Sequence, residues 1–341
     1  MSDFNFAPSV LHKHLMNNME HKLAYKGGDV QQWQDSFRPK LKELLGDMPK
    51  ETEKCPLNVR SLWKRDHELG TIEKVVFTSE PFCDVPAFLC LPKNAAPPYT
   101  TFICLQGHST GMHNSIGLDF ETNTKEIEVA GDRDFALKCM EKGIAALCIE
   151  QRSFGERGEN LLKNGSEHMC HDGVCHALKL GRTLNGERVW DVGRGIDYLA
   201  GRNDINMDKI GLMGNSGGGT ITIYASAIMD RIAFAMPSSA FCTYQDSIMN
   251  IEHCADNYIP GLLQYAEIGD VMGLHAPKPV VIVAGLEDDI FPIHGVKKAF
   301  SKLKEIYRAA GAEDNCCLVI GNGGHRFYAN EAWDAMLKLI K

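Results

Sequence analysis

The sequence predicts an α/β fold, with a largely parallel sheet covered by helices on both faces and a helical extension in front of it. Three observations carry this. Beyond Thr100, short apolar runs at 101–105, 144–149, 210–213, 232–236, 280–284 and 317–320 alternate with helix-length segments at 135–142, 187–199, 217–229, 296–309 and 331–340, and strand–helix alternation in series is the pattern of a parallel sheet. From Leu57 to Pro92 the pattern is purely β, with apolar runs at 72–77 and 85–91 bounded by Gly70, Pro81 and Pro92, as expected of an antiparallel hairpin or meander. Before that, Val30, Trp33, Phe37, Leu41, Leu44 and Leu45 recur at helical spacing and Pro49 closes the segment.

These patterns divide the chain into a helical extension, 1–50, and an α/β domain, 51–341. Polar stretches at about 107–132, 151–183 and 238–277 interrupt the domain, each after a strand end. Loops that long in a compact domain are usually functional.

Composition narrows the function classes. Hydrophobic residues make up 44% and charged residues 23%, the balance of an ordinary globular enzyme and not of a disordered chain. A formal net charge of −8, with no cluster of Lys and Arg, speaks against a nucleic-acid partner. No apolar run of about 18 residues predicts a membrane span, and the first residues lack the pattern of a secretion signal, so the chain reads as cytoplasmic. Its twelve cysteines are then expected to be mostly reduced. Cys104 and Cys148 sit inside apolar runs and read as small buried hydrophobes.

The chemistry is carried by Asp208-Lys209-Ile210-Gly211-Leu212-Met213-Gly214-Asn215-Ser216-Gly217-Gly218-Gly219, an apolar strand running into G-x-S-x-G and then into a helix-compatible stretch. That context makes Ser216 the candidate nucleophile, raised on a tight turn that needs glycine on both sides, at Gly214 and Gly218. A serine hydroxyl needs a base to take its proton. With G-x-S-x-G the chain order is Ser, then Asp or Glu, then His. After the strand at 280–284 come Glu287, Asp288 and Asp289, three carboxylates among which position in the chain does not choose. After the last strand comes Gly321-Asn322-Gly323-Gly324-His325, whose histidine is the candidate general base.

With those residues in place, the sequence resembles the acetyl xylan esterase and dienelactone hydrolase-like branch of the α/β-hydrolases, from about residue 55 onward. The marks are Leu105-Gln106-Gly107-His108, Glu150-Gln151-Arg152-Ser153-Phe154-Gly155-Glu156-Arg157, Arg188-Val189-Trp190-Asp191, the serine turn, Asn257-Tyr258-Ile259-Pro260-Gly261 and Ala276-Pro277-Lys278-Pro279. The resemblance implies an α/β-hydrolase fold and selects Asp288, between Gly285 and Pro292, as the acid. It maps the oxyanion-hole N–H donors to His108 and Gly217, with Gln106 in place of the usual histidine before Gly107. For Arg152, Asp191 and Arg194 it implies ion pairs that hold loops.

A competing reading is a metal site in His168-Met169-Cys170-His171-Asp172-Gly173-Val174-Cys175-His176. The segment has neither C-x-x-C nor H-E-x-x-H spacing, so the expectation is a buried helix start with reduced thiols, no metal and no cofactor. The function expected is that of a serine carboxylesterase for short acyl esters, extending to acetylated carbohydrate, with Tyr244, Tyr258 and Tyr265 either lining the pocket or packing. The sequence leaves room for a homo-oligomer. The alternatives are an oligopeptidase-like serine peptidase, for whose propeller domain the chain has no room, and a non-catalytic binding protein on a hydrolase fold.

Overall fold

In a computed structural model that describes residues 5–158 and 170–340, nine strands form a single sheet in the order β1-β2-β3-β5-β4-β6-β7-β8-β9. The helical extension comes first, as α1 (Pro8–Asn17) and α2 (Val30–Leu45). The antiparallel part follows as β1 (Arg60–His67), β2 (Gly70–Glu80) and β3 (Cys83–Pro92). The remaining elements are β4 (Tyr99–Leu105), α3 (Phe135–Glu141), β5 (Ala145–Ile149), α4 (His171–Lys179), α5 (Leu184–Ala200), β6 (Ile205–Asn215), α6 (Gly217–Ile228), β7 (Phe234–Ser238), α7 (Ile268–Gly273), β8 (Val280–Gly285), α8 (Ile293–Ala309), β9 (Cys316–Gly321) and α9 (Ala329–Leu339). From β5 to β9 every neighbouring pair of strands is parallel.

The sheet separates two cores. One lies under α2, α5, α6 and α8, with Phe37, Leu41, Ile196, Ile223, Leu303 and Ile306 among its buried side chains. The other lies under α3 and α9, around Phe102, Phe135, Met140, Phe327 and Trp333. The central strands β5, β7 and β8 are buried along their whole length, which is why they read in the sequence as unbroken apolar runs rather than as alternating ones. The extension is part of this packing: Phe37 and Leu41 are fully buried, Asp29 caps α2 by accepting from the Gln32 N–H at 2.7 Å, and Gln34 donates to the carbonyls that end α7 and follow it.

Two elements are invisible to periodicity. β1 is an edge strand whose residues are exposed or half-exposed, so no apolar alternation marks it, and only pairing with β2 defines it. The 238–277 stretch, which has no strong helical period, contains α7 and two single-turn segments. Among the described residues no helix is long and apolar enough to cross a membrane.

The loops at the rim of the sheet are held by buried charge. Asp191 on α5 accepts from Arg152 Nε and Nη2, both at 2.9 Å, from Arg157 Nη1 at 2.6 Å and from the Ser79 hydroxyl. Arg152 also meets Glu80 at 2.7 Å and Glu187 at 3.3 Å. Arg194 pairs with Asp197 and donates to the Cys55 carbonyl. Burial opposes the Asp191 charge, but Arg152 and Arg157 outweigh it and hold the carboxyl far below its ordinary value.

Because the folded pKa of Asp191 lies below the unfolded one, its stabilisation is complete above about pH 4 and is lost as pH falls toward the folded value. Asp191→Asn is expected to destabilise the protein by roughly 3–5 kcal/mol at pH 7, the scale of a broken buried ion pair. In urea denaturation the difference from wild type should shrink as the pH is taken below about 4.

Candidate active site

Ser216 sits where β6 becomes α6, with φ 55° and ψ −122°, a strained backbone for a residue with a side chain. Glycines make the turn possible. A Cβ on Gly214 would lie 2.5 Å from the carbonyl of Gly218, and one on Gly218 would lie 2.1 Å from the oxygen of Leu105. Both contacts are impossible. The Ser216 N–H donates to the Ser238 carbonyl at 2.9 Å and its own carbonyl accepts from Thr220, which ties the turn to β7 on one side and to α6 on the other.

Asp288 and His325 come from the two strands beyond. The loops after β8 and β9 are zipped together: Leu286 N–H donates to the Gly321 carbonyl at 2.9 Å and Glu287 N–H to the Gly323 carbonyl at 2.8 Å. Gly285 allows this approach, since a Cβ there would lie 2.2 Å from the Gly324 oxygen. The zipped loops set Asp288 opposite His325, whose Nδ1 lies 2.9 Å from Asp288 Oδ2. The other Asp288 oxygen accepts from the N–H groups of Ile290 and Phe291, and the Phe291 ring stacks on His325. Asp288 is buried, whereas Glu287 and Asp289 are exposed. Of the three carboxylates, Asp288 is therefore the one turned inward.

Ser216 and His325 line one cavity of about 360 Å³, together with Gly107, His108, Arg133, Asn215, Ile251, Glu252, His253, Cys254 and Ile290. Gly107 brings the first loop against the serine: a Cβ there would lie 2.9 Å from Ser216 Cβ and 3.6 Å from its Oγ. Gln106, in place of the expected histidine, is fastened by donating to Ser115 Oγ and to the Arg133 carbonyl. Gly217 opens α6, so its N–H has no partner within the helix and is available at the serine. A Cβ on Gly217 would meet the His108 ring at 3.0 Å, which places the two expected oxyanion residues in contact.

The His108 side chain has a place of its own. Its Nε2 lies 2.9 Å from Asp256 Oδ1, and Asp256 Oδ2 accepts from the fully buried Arg188 at 2.6 Å. Burial disfavours the imidazolium of His108, but hydrogen bonds with Asp256 and Cys170 and the Asp256 charge outweigh it and lift its pKa to about 9. His108 thus carries positive charge at neutral pH, beside Gly217.

The sequence offered no means of finding Arg133, Glu252, His253 or Asp256. Asp256 stands 148 positions from the histidine it binds, and no spacing rule reaches so far. The tyrosines fall differently from the pocket-lining alternative. Tyr244 and Tyr258 line a separate apolar cavity of about 410 Å³ next to α1, and Tyr265 lies under Lys22 and Lys40. The 238–277 stretch reaches the serine through Ile251–Cys254 instead, because its intervening turns carry the tyrosine rings away. Of the candidate metal segment, His168 and Met169 lie outside the described residues, His171 and Cys175 are exposed on α4, and Cys170 is buried.

A strained serine at a strand–helix turn, with a carboxylate-bound histidine in the same cavity, is the geometry of an α/β-hydrolase. The chain belongs to the Abhydrolase family. The model of that family matches residues 8–332, so the match runs through α1 and α2 as well as the sheet. A Bacillus subtilis (strain 168) protein, YtaP, which carries the name of a hydrolase, is 24% identical over 84% of this chain and 92% of its own. Among solved structures, a protein named as an acetyl xylan esterase from Bacteroides fragilis NCTC 9343 superposes with a TM-score of 0.77 at 16% identity, over 93% of this chain and 83% of its own. A glucuronoyl esterase from Solibacter usitatus does so with a TM-score of 0.67 at 16% identity, over 95% and 97%. At that identity the structural matches establish the fold.

The zipped loops give a direct test. Gly285→Ala forces a methyl group onto the Gly324 carbonyl, so it is expected to cost about 1–3 kcal/mol in thermal or urea unfolding, the range of overpacked sites. It should also lower ester turnover by moving Asp288 away from His325.

Proposed function

We propose that this member of the Abhydrolase family is a serine carboxylesterase acting on short acyl esters of small polar alcohols, acetylated sugars among them. The observation that carries the reading is the strained Ser216 in the same cavity as His325, which is itself hydrogen-bonded to Asp288. In the proposed cycle Ser216 Oγ attacks the ester carbonyl while His325 takes the hydroxyl proton. The tetrahedral oxyanion receives the N–H groups of His108 and Gly217. Collapse releases the alcohol, protonated by His325, and leaves an acyl-enzyme. Water activated by the same histidine then returns the serine and releases the carboxylic acid. Asp288 holds the histidine tautomer and offsets the positive charge that His325 gains.

Two features support a small polar substrate. The cavity is modest, about 360 Å³, and its lining mixes Arg133, Glu252 and His253 with Ile251 and Ile290, unlike the broad apolar groove a long acyl chain needs. The similar solved structures are named for acetyl xylan and glucuronoyl esters, which are esters of carbohydrates.

Three measurements test this. A fluorophosphonate probe should label the wild type and not Ser216→Ala, since only an activated serine reacts; failure to label wild type would favour a binding protein on a hydrolase fold. Acetyl and propionyl esters should turn over faster than octanoyl esters, and a preference for long chains would overturn the short-acyl reading. Asp288→Asn should lower kcat by roughly 10⁴-fold, while Asp289→Asn, on an exposed side chain, should cost far less.

A further inference from the structure

We propose that His108 Nε2, Cys170 Sγ, Cys254 Sγ and an Asp256 carboxylate oxygen form a tetrahedral site for a thiophilic divalent cation, zinc by preference, which fastens three active-site loops to one another. The four ligand atoms all lie within 4.8 Å of one another. Tetrahedral zinc, with bonds of about 2.0–2.3 Å, separates neighbouring ligand atoms by roughly 3.3–3.8 Å. The group is therefore nearly assembled. The His108–Asp256 contact, at 2.9 Å, must widen, and there a cation would replace the proton now shared by the pair.

Ligand chemistry selects the metal. Two thiolates, an imidazole and a carboxylate suit zinc and not the oxygen-seeking magnesium or calcium. Burial adds to this. Cys170 is 2% exposed and the Asp256 side chain 1%, so these two ligands are withdrawn from bulk water, while His108 and Cys254 are partly exposed toward the Ser216 cavity. Around them lies an outer partner: Arg188 donates to Asp256 Oδ2 at 2.6 Å and stands 3.4 Å from Cys170 Sγ. It would orient the carboxylate and one sulfur by hydrogen bonds from outside the ligand set. Charges balance as well. Two thiolates and one carboxylate carry three negative charges, and a divalent cation with Arg188 carries three positive ones. Binding would release the imidazolium and thiol protons to solvent.

The ligands' places in the chain explain why no spacing motif announces them. His108 follows β4, Cys170 immediately precedes α4, and Cys254 and Asp256 lie in the excursion after β7. Each of the three long loops thus contributes at least one ligand. A metal joining them would close loops of many tens of residues, where a cross-link restrains the unfolded chain most. His108 and Cys254 also line the Ser216 cavity, so the cation would stiffen its wall. This site goes beyond the esterase reading and does not depend on it.

The test uses the full chain, expressed in zinc-supplemented medium, desalted and analysed for metal by mass spectrometry. About one equivalent of zinc is expected. It should be lost in the Cys170→Ser/Cys254→Ser double variant and kept in Cys175→Ser, which alters an exposed thiol on α4. Because the double variant could fail to fold, a second readout uses the wild type alone. After zinc is replaced by cobalt(II), the intense visible bands of a tetrahedral thiolate site should appear, and the unfolding midpoint should rise as metal is added. Wild type that holds no more zinc than the double variant, or gives only the pale spectrum of octahedral cobalt, would overturn the proposal. So would a Cys170–Cys254 disulfide in the freshly purified protein, because the two sulfurs would then be bonded to each other. Ester turnover is measured alongside: zinc present without activity would count against the esterase reading and leave the metal site standing.

Discussion

The close approach of β4, β6 and the first turn of α6 is the constraint from which the rest of the site follows. Ser216 adopts a left-handed backbone because Gly214 and Gly218 let the turn fold against the Leu105 carbonyl, and Gly107 lets the next loop pass against the serine itself. Any side chain at these three positions would occupy space already taken by backbone or by Ser216. The packing that makes the turn possible also directs it. The Ser216 N–H is bonded to β7 and its carbonyl to Thr220, so the hydroxyl is carried at the end of the parallel strands, where loops from both sides of the sheet converge.

The same close backbone contact recurs one layer out. β8 and β9 run parallel and in register to their ends, Gly285 beside Gly321, and the ladder continues past the strands into the loops through Leu286 and Glu287. Asp288 and His325 are thereby held by main chain in loops just beyond the ends of β8 and β9, and their mutual hydrogen bond follows from strand register carried into those loops. The two N–H groups that Asp288 accepts from Ile290 and Phe291 leave its second oxygen directed at the imidazole.

Around this frame the loops are fixed by buried ions. Asp191 gathers Arg152 and Arg157 on the α5 side, and Asp256 gathers His108 and Arg188 nearer the serine. In each case the carboxylate is almost wholly buried and both of its oxygens are used, the condition under which a buried charge is tolerated. Glu150, which begins one of the sequence marks of the family, shows the contrary balance: burial outweighs the N–H groups of Glu156 and Met112, and its pKa rises to about 7. The loops therefore owe their shape to electrostatic satisfaction as much as to apolar packing.

What the sequence by itself determined was whatever is written in local patterns. The central parallel strands were legible because burial on both faces makes them continuous apolar runs, and Ser216 and His325 because each follows a short apolar run into a glycine-rich turn. The edge strand β1 was not, since an exposed strand needs no apolar alternation. Three adjacent carboxylates, Glu287, Asp288 and Asp289, are equivalent as sequence once the resemblance is set aside. Only the zipped loops decide that Asp288 turns inward to His325. The partnership of His108 with Asp256 and the gathering of Cys170, Cys254 and Arg188 around it were likewise decided by tertiary structure alone. Local periodicity reflects which face of one element is buried, whereas a contact across 148 residues depends on how separate loops meet after the sheet has formed.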